Sequence, residues 1–215
     1  TVDSTGLVTA VANGSADVTA SSGSAQSVAA ITVSQATASV VLSADTLEFV
    51  SLGDTATVGV TVLDAAAQPI TGASVTWTSS DSAVASVSVS GLLTSLANGT
   101  STITATSGGV SATATVAVAQ VASTVALDAD TVVFASLGDT LRLTATVSDA
   151  NDAVISGASV TWASSDTAVA TVDVDGLVTS VTNGSVTITA TSGAASATAE
   201  VEVTQLAGSI TLSEA

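Results

Sequence analysis

The chain has 215 residues and no cysteine, and its 18 acidic residues face a single basic residue, Arg142, which gives a formal net charge of −17. This charge argues against nucleic acid and anionic membranes as partners, because both are bound through Lys and Arg. The lack of Cys excludes disulfides, and the lack of His removes the usual general base and imidazole metal ligand. Hydrophobic residues make up 47% of the chain but form no apolar run long enough to cross a bilayer, so we expect no membrane insertion in this segment.

The sequence repeats with one fixed period, which equals the spacing between its two tryptophans. Trp77 and Trp162 lie in the near-identical segments VTWTSSDSAVASV and VTWASSDTAVATV, and SLGDT occurs at 51–55 and at 136–140. A fixed period of this kind is typical of tandem arrays, in which each unit contacts its neighbours. The same spacing relates Gln35, Gln120 and Gln205; Gly6, Gly91 and Gly176; and the Asn-Gly pairs at 13–14, 98–99 and 183–184.

Taken in chain order, this period predicts two complete repeats between two partial ones. Residues 1–34 match 86–119 and are expected to form the C-terminal half of a repeat. Residues 36–119 and 121–204 are complete copies, hereafter the first and second repeats. Residues 206–215 match the opening of a repeat and are predicted to form the first strand of a following one. We therefore expect the sequence to be a window of a longer array.

Alternation of polar and apolar residues predicts β-strands throughout each repeat. In the first repeat Ala56, Val58, Val60 and Val62 alternate with Thr or Gly, and the many β-branched residues favour strands. No segment has a convincing helical period. Strands are expected near 38–43, 46–50, 55–63, 74–79, 83–88, 91–96, 100–106 and 110–118, and at the equivalent positions of the second repeat.

The spacing of strands and large side chains indicates the fold class. Short strands divided by clusters of Gly, Asn, Asp and Ser favour an antiparallel sandwich. One Trp per repeat, Trp77 or Trp162, fits the core Trp of immunoglobulin-like domains, and Phe49 and Phe134 add the other large rings. The predicted fold is therefore all-β, with tandem immunoglobulin-like β-sandwich domains at an 85-residue period.

Three motifs carry a family resemblance. They are V-T-W-x-S-S-D-x-x-V-A-x-V, then G-L-V-T-x-V-x-N-G, then T-I-T-A-T-S-G. Together they resemble the bacterial immunoglobulin-like domain of group 2, over both complete repeats and residues 1–34. The resemblance implies an immunoglobulin-like fold and tandem arrays in surface adhesins, intimin- and invasin-like proteins, other extracellular proteins and some phage virion proteins. It implies no particular ligand, because such domains are often spacers.

Two polar motifs admit a chemical and a structural interpretation. The Asn-Gly-Ser/Thr segments at 13–15, 98–100 and 183–185 match a glycosylation acceptor, but Asn and Gly also suit a tight turn, which we favour. Ser79-Ser80-Asp81 resembles a nucleophile beside an acid. With no His or Lys in the chain nothing activates the serine, so we interpret the motif as a turn cap and predict no catalytic residue.

Acidic loops predict a calcium site between the repeats, because calcium prefers several carboxylate, amide and carbonyl oxygens. In an immunoglobulin-like sandwich the loops sort to two ends, and head-to-tail stacking brings the far end of the first repeat to the near end of the second. The predicted ligands are Asp54 and Asp81 at the far end, near Asn98, and Asp149, Asn151, Asp152, Asp173 and Asp175 at the near end. No other cofactor is required.

A second interpretation of these acids remains open. Acidic loops also keep a protein soluble without binding metal. The loop of the first repeat that matches Asp149 to Asp152 reads LDAAAQPI and is poor in acids, and no EF-hand spacing occurs. Both observations weigh against calcium.

The function predicted from these features is a structural, non-enzymatic spacer or stalk segment of a long extracellular or cell-surface protein, such as an adhesin or fibre. Its partners are the neighbouring repeats, with a host or surface glycan or receptor bound at a distal tip outside this segment. The alternatives are a filament, sheath or virion decoration protein that packs laterally with copies of itself, and an immunoglobulin-like module that binds a glycan or receptor through its loops. Nucleic acid is not expected as a partner.

Overall fold

The computed structural model describes residues 1–206 and contains only β-strands, turns and loops within them. In residues 1–34, β1 (Gly14–Ser22) and β2 (Ala25–Val33) form an antiparallel hairpin. The strand predicted over 206–215 falls almost wholly outside the described residues. No helix long and apolar enough to span a membrane occurs between residues 1 and 206.

Each complete repeat contains nine strands in the same order. In the first repeat they are β3 (Ser39–Leu42), β4 (Thr46–Phe49), β5 (Thr55–Thr57), β6 (Val60–Leu63), β7 (Thr76–Ser79), β8 (Ala85–Val87), β9 (Leu92–Ser95), β10 (Gly99–Ser107) and β11 (Val110–Val118). In the second they are β12 (Thr124–Leu127), β13 (Thr131–Phe134), β14 (Thr140–Arg142), β15 (Ala145–Ser148), β16 (Thr161–Ser164), β17 (Ala170–Val172), β18 (Leu177–Ser180), β19 (Gly184–Ser192) and β20 (Ala195–Val203).

A four-stranded sheet and two shorter sheets enclose the core of each repeat. In the first repeat the large sheet has the order β4-β11-β10-β7, and the shorter ones are β3-β6 and β5-β9-β8. β4 runs parallel to β11, whereas the other neighbours are antiparallel. The second repeat has the same three sheets, β13-β20-β19-β16, β12-β15 and β14-β18-β17. The predicted all-β, tandem immunoglobulin-like architecture is confirmed.

The single strand predicted over 55–63 is wrong, because it is two strands that pair with different partners. β5 pairs with β9, and β6 pairs with β3. Between them Val58 donates its N–H to Gly91 O at 2.9 Å, and Gly59 donates its N–H to Ser43 Oγ at 2.8 Å. The alternation of apolar and polar residues continues through this change of partner. It indicates which face of the sheet each side chain points to, but it does not indicate which strand is the hydrogen-bonded neighbour.

The core of the first repeat is small and aliphatic around one phenylalanine. Ile103 and Val116 of the large sheet pack with Leu93 of the opposite sheet and with Phe49, and all four are buried. Trp77 packs against this cluster while remaining half-buried, so it covers the edge of the core and does not fill its centre. The second repeat has the equivalent core around Phe134 with Trp162 at its edge.

One glycine is required beside the tryptophan. Gly91 has φ of +77°, and a Cβ there would lie 2.5 Å from Val58 O and 3.0 Å from Trp77 Cζ2. The turn that contains Gly91 therefore packs directly against Val58, where the chain changes from one sheet to the other. No side chain larger than hydrogen fits there.

The hairpin of residues 1–34 leaves its apolar face uncovered. Ile31 and Val33 are half-buried, whereas the equivalent Val116 and Val118 of the first repeat are buried. An open groove of about 810 Å³ runs along this face. In a complete repeat the strands β3, β5 and β6 of the two shorter sheets form part of the facing half of the core, and residues 1–34 have no counterpart of these strands. The groove is thus an exposed half-core.

Candidate functional site

The first and second repeats meet at a buried carboxylate, Asp149, in the loop after β15. Its side chain is 0% exposed. Oδ2 accepts hydrogen bonds from the Leu52 N–H of the first repeat at 2.8 Å and from the Gln120 side-chain amide at 2.9 Å. One oxygen of the second repeat is therefore shared by the first repeat and by the residue that links the two.

The other oxygen of Asp149 holds its own loop. Oδ1 accepts the N–H groups of Asn151 and Ala153, both at 3.0 Å. Burial raises the pKa of Asp149, but the hydrogen bonds, led by Leu52 and Gln120, outweigh it and keep the pKa below its ordinary value of 3.8. A buried charge is tolerated here because four N–H groups satisfy it.

Asn151 provides a second set of contacts across the joint. Its side-chain amide donates to Leu52 O at 2.9 Å and to Asp54 Oδ1 at 2.9 Å. Leu52 is thus bound at both its N–H and its carbonyl, by Asp149 and Asn151 respectively. The loop of the second repeat binds the SLGDT segment of the first much as a short strand would.

The linker residue Gln120 is also tied to the first repeat. Its N–H donates to Asn98 Oδ1 at 2.8 Å, and Asn98 Nδ2 donates to Gln120 Oε1 at 3.0 Å. On either side of it, Ala119 and Val121 donate their N–H groups to Phe49 O and Val50 O, both at 2.9 Å. An Asn–Gln–Asp chain of hydrogen bonds therefore runs from one repeat, through the linker, into the next.

The same Asn–Gln–Asp chain recurs one period earlier. Gln35 donates its N–H to Asn13 Oδ1 at 2.7 Å and its side-chain amide to Asp64 Oδ2 at 2.8 Å. This amide, together with the N–H groups of Gln68 and Ala66, keeps the pKa of Asp64 below its ordinary value. One period later Gln205 donates its N–H to Asn183 Oδ1 at 3.0 Å. The joint is therefore a property of the repeat.

Three of the predicted calcium ligands lie together at this joint, namely Asp54, Asp149 and Asn151. All of them are engaged in direct hydrogen bonds, and each oxygen of Asp149 already accepts two. Asp152 follows in the same loop with φ of +62°, and its N–H donates to Asp149 O at 3.2 Å.

The other predicted ligands have local roles elsewhere. Asp81 Oδ1 accepts the Ala83 N–H at 3.0 Å within its own turn. Asp173 Oδ1 accepts the N–H groups of Asp175 and Leu177, both at 2.9 Å, in the turn before β18. Between residues 1 and 206 no group of three or more carboxylates is arranged to hold a metal ion. The calcium site stays a prediction.

Reasoning from sequence missed the role of the glutamines. Gln120 is separated by 22 positions from Asn98 and by 29 from Asp149, and the same separations relate Gln35 to Asn13 and Asp64. These co-periodic polar residues were the available signal. Their shared period indicates the repeat, and it also marks the residues that join one repeat to the next.

Comparisons with known proteins give the following relatives. The family described as "Bacterial Ig-like domain (group 2)" matches residues 27–118 and 121–203. Ice-binding protein 1 of Shewanella frigidimarina (strain NCIMB 400) is 39% identical over 208 residues. That alignment covers 95% of this chain, which spans only 23% of the relative's length.

Solved structures with similar chains include two surface proteins. Domains 1–6 of the surface layer protein SbsC align with 23% identity over 90% of this chain and 32% of that one, with a TM-score of 0.40. The Yersinia pseudotuberculosis adhesin InvE aligns with 19% identity over 76% of this chain and 58% of its own, also with a TM-score of 0.40. Because these scores are low, family membership rests on the sequence match.

Proposed function

Because the chain belongs to the family of group 2 bacterial Ig-like domains, we propose that it is a spacer segment that holds another part of a longer protein at a distance. The chain is an extracellular or surface module of the immunoglobulin-like kind. Domains of this family are non-catalytic, and we propose that this segment is likewise not an enzyme.

The observation that carries the spacer proposal is the joint. Direct hydrogen bonds to Leu52 and Asp54, together with the Asn98–Gln120–Asp149 chain through the linker, tie the two repeats end to end, so the second repeat continues from the far end of the first. A chain whose work is to maintain distance needs joints that resist folding back.

Charge and surface support the same function. With a net charge of −17, distant parts of the chain repel one another, which favours an extended array over a collapsed one. The outer face of the large sheet is covered by hydroxyls, with Thr104 opposite both Thr113 and Thr78. Such a face is well hydrated and offers few anchors for a protein partner.

Small-angle X-ray scattering tests the proposal through the length added per repeat. The long strands β10 and β11 have nine residues each, about 30 Å at ~3.3 Å per residue. We expect each further copy of residues 121–205, inserted in frame after Gln205 so that every joint keeps its linker glutamine, to extend the maximum dimension by a constant amount of at least this size. An increment that shrinks with each added copy would contradict a spacer with ordered joints.

A second candidate function is contact with ice. Two observations favour it: the regular rows of threonine on the large sheet, and the name of the Shewanella relative, ice-binding protein 1. Partition of the chain into slowly growing ice separates the two candidates. A spacer is left in the liquid like a matched control protein, whereas an ice-binding face enriches the chain in the solid and loses that enrichment in Thr104→Lys.

A further inference from the structure

The far end of the second repeat carries the same residues that bind the second repeat to the first. In the first repeat, three residues at this end contact the loop or linker that follows, and the linker glutamine is the fourth member of the set. Their equivalents one period later are identical, with Leu52, Asp54, Asn98 and Gln120 matched by Leu137, Asp139, Asn183 and Gln205. We call this set, with the SLGDT segment, the SLGDT end.

The two SLGDT ends close their turns in the same way, and they differ at the aspartate: Asp139 Oδ2 accepts the Ser136 N–H at 3.1 Å, whereas Asp54 accepts the Asn151 amide. Ser95 Oγ donates to Ser51 O at 2.8 Å, and in the second repeat Ser180 Oγ donates to Ser136 O at 2.8 Å. The turn is closed in both cases by a glycine N–H, at 2.9 Å in the first repeat and 3.0 Å in the second. The second SLGDT end is therefore already formed.

The two ends differ in what covers them. Ser51 is only 2% exposed, whereas the equivalent Ser136 is exposed. Leu137 is 43% exposed, whereas the equivalent Leu52 is half-buried beneath the loop of the second repeat. Among residues 1–206, the same segment is thus a contact surface in the first repeat and an uncovered surface in the second.

The loop that recognises an SLGDT end exists in two versions. In the second repeat it reads Asp149-Ala150-Asn151, and in the first it reads Asp64-Ala65-Ala66. Their backbones agree, since Asp64 Oδ1 accepts the N–H groups two and four residues later, as Asp149 Oδ1 does. The versions differ in the side chain at position 151 or 66, and only Asn reaches across to the neighbouring repeat.

We infer that the SLGDT end of the second repeat is a docking surface for another immunoglobulin-like repeat whose loop carries Asp-x-Asn. A repeat with Asp-x-Ala, like the first, keeps the glutamine contact to its aspartate and lacks the amide contacts to the SLGDT segment. Arrays of these repeats therefore contain two kinds of joint. A joint with Asn at this loop position is ordered by the amide contacts, and a joint with Ala is more mobile because it lacks them. This inference does not depend on the chain being a spacer.

Two extended chains test the inference. In one, a copy of residues 121–204 follows Gln205 in place of 206–215, and in the other a copy of 36–119 does. Because the sequence has no Cys, spin labels attach only at engineered sites, one through Val174→Cys and one at the matching turn of the appended repeat. Pulsed dipolar spectroscopy then measures the distribution of distances between the labels.

We expect a narrow distance distribution when 121–204 is appended and one at least twice as wide when 36–119 is appended. Ala66→Asn in the appended copy of 36–119 should narrow its distribution towards that of 121–204. Two equally wide distributions would show that the SLGDT end docks neither repeat. Two equally narrow ones would show that the asparagine does not determine the joint. The difference in intrinsic Trp fluorescence between each extended chain and the parent chain, whose two tryptophans also contribute, checks that the appended repeat is folded.

Discussion

Replacing Asn151 by Ala should loosen the joint between the two repeats without unfolding either. The variant loses one hydrogen bond to Leu52 O and one to the Asp54 carboxylate. A neutral hydrogen bond contributes about 1 kcal/mol, and one to a charged group about 1.5–3 kcal/mol. Both bonds lie at an exposed position, where solvent weakens them. We therefore expect the free energy of docking to fall by about 2 kcal/mol, which is near the lower end of the summed range for the two bonds. That corresponds to roughly a 30-fold shift from the docked to the undocked joint.

Pulsed dipolar spectroscopy between the repeats measures this shift. Val89 and Val174 are 94% and 87% exposed at equivalent turns, so spin labels at Val89→Cys and Val174→Cys disturb no packing. Asn151→Ala should broaden the distance distribution, whereas the unfolding temperature of the individual repeats should stay nearly constant, because both lost contacts lie between repeats.

The chain provides a matched control at the same loop position of the first repeat. Ala66→Asn adds the amide where residues 1–34 offer no counterpart of the SLGDT segment, so the distribution between the labels should not change. If Asn151→Ala leaves the distribution as narrow as in the parent chain, the amide contacts do not hold the joint, and the reasoning from their geometry is refuted.

Four further predictions concern stability. Asp149→Asn places an amide donor against the N–H groups that the carboxylate accepts, and should lower the urea midpoint of the second repeat by an amount equivalent to about 3 kcal/mol or more. Folding lowers the pKa of Asp149 and Asp64, so their contribution is fully present above the unfolded value of 3.8 and is lost as the pH falls below it; thermal scans should be flat from neutral pH to about 5 and decline below about 4. Ala67 has φ of +57°, so Ala67→Gly should raise the unfolding temperature of the first repeat by relieving about 1 kcal/mol of strain, and a decrease would contradict that origin. If the predicted calcium joint exists, calcium at constant ionic strength should raise the unfolding temperature and Asp54→Asn should abolish the increase; no change would mean that the four N–H groups accepted by Asp149 hold the joint without metal.

The sequence was sufficient to predict the fold and most strands. Alternation of β-branched and polar residues specified which side chains face the core, and the buried positions of Phe49 and Ile103 agree with it. The chain's change of sheet at Val58 was not predictable from alternation, because the apolar period continues through it. Only the pairing partners, Leu92 on one side and Leu42 on the other, distinguish the two strands.

Only part of the joint was predicted from the sequence. Loop residues do not alternate between apolar and polar as strand residues do, so the sequence pattern does not specify their contacts. Asp54, Asp149 and Asn151 were correctly expected to lie together at the ends of adjacent repeats. The acidic side chains led to the prediction of a calcium site, which stays a prediction, whereas the N–H groups that these side chains accept were not predicted. A loop whose backbone turns back on its own aspartate supplies those donors, and this property depends on backbone conformation that the composition of the loop does not reveal.

The placement of each Asn–Gln–Asp chain across the boundary between repeats also bears on how such a protein changes length over generations. An unequal crossover between two copies of the gene segment for a repeat, at any pair of equivalent codons, inserts or removes a whole number of periods. Every new boundary then still has an asparagine before it, a glutamine in it and an aspartate after it, as at Asn98, Gln120 and Asp149. Duplication or deletion of repeats therefore yields arrays in which every boundary already has its three hydrogen-bonding residues. The length of the array can change without further substitutions to restore the joints.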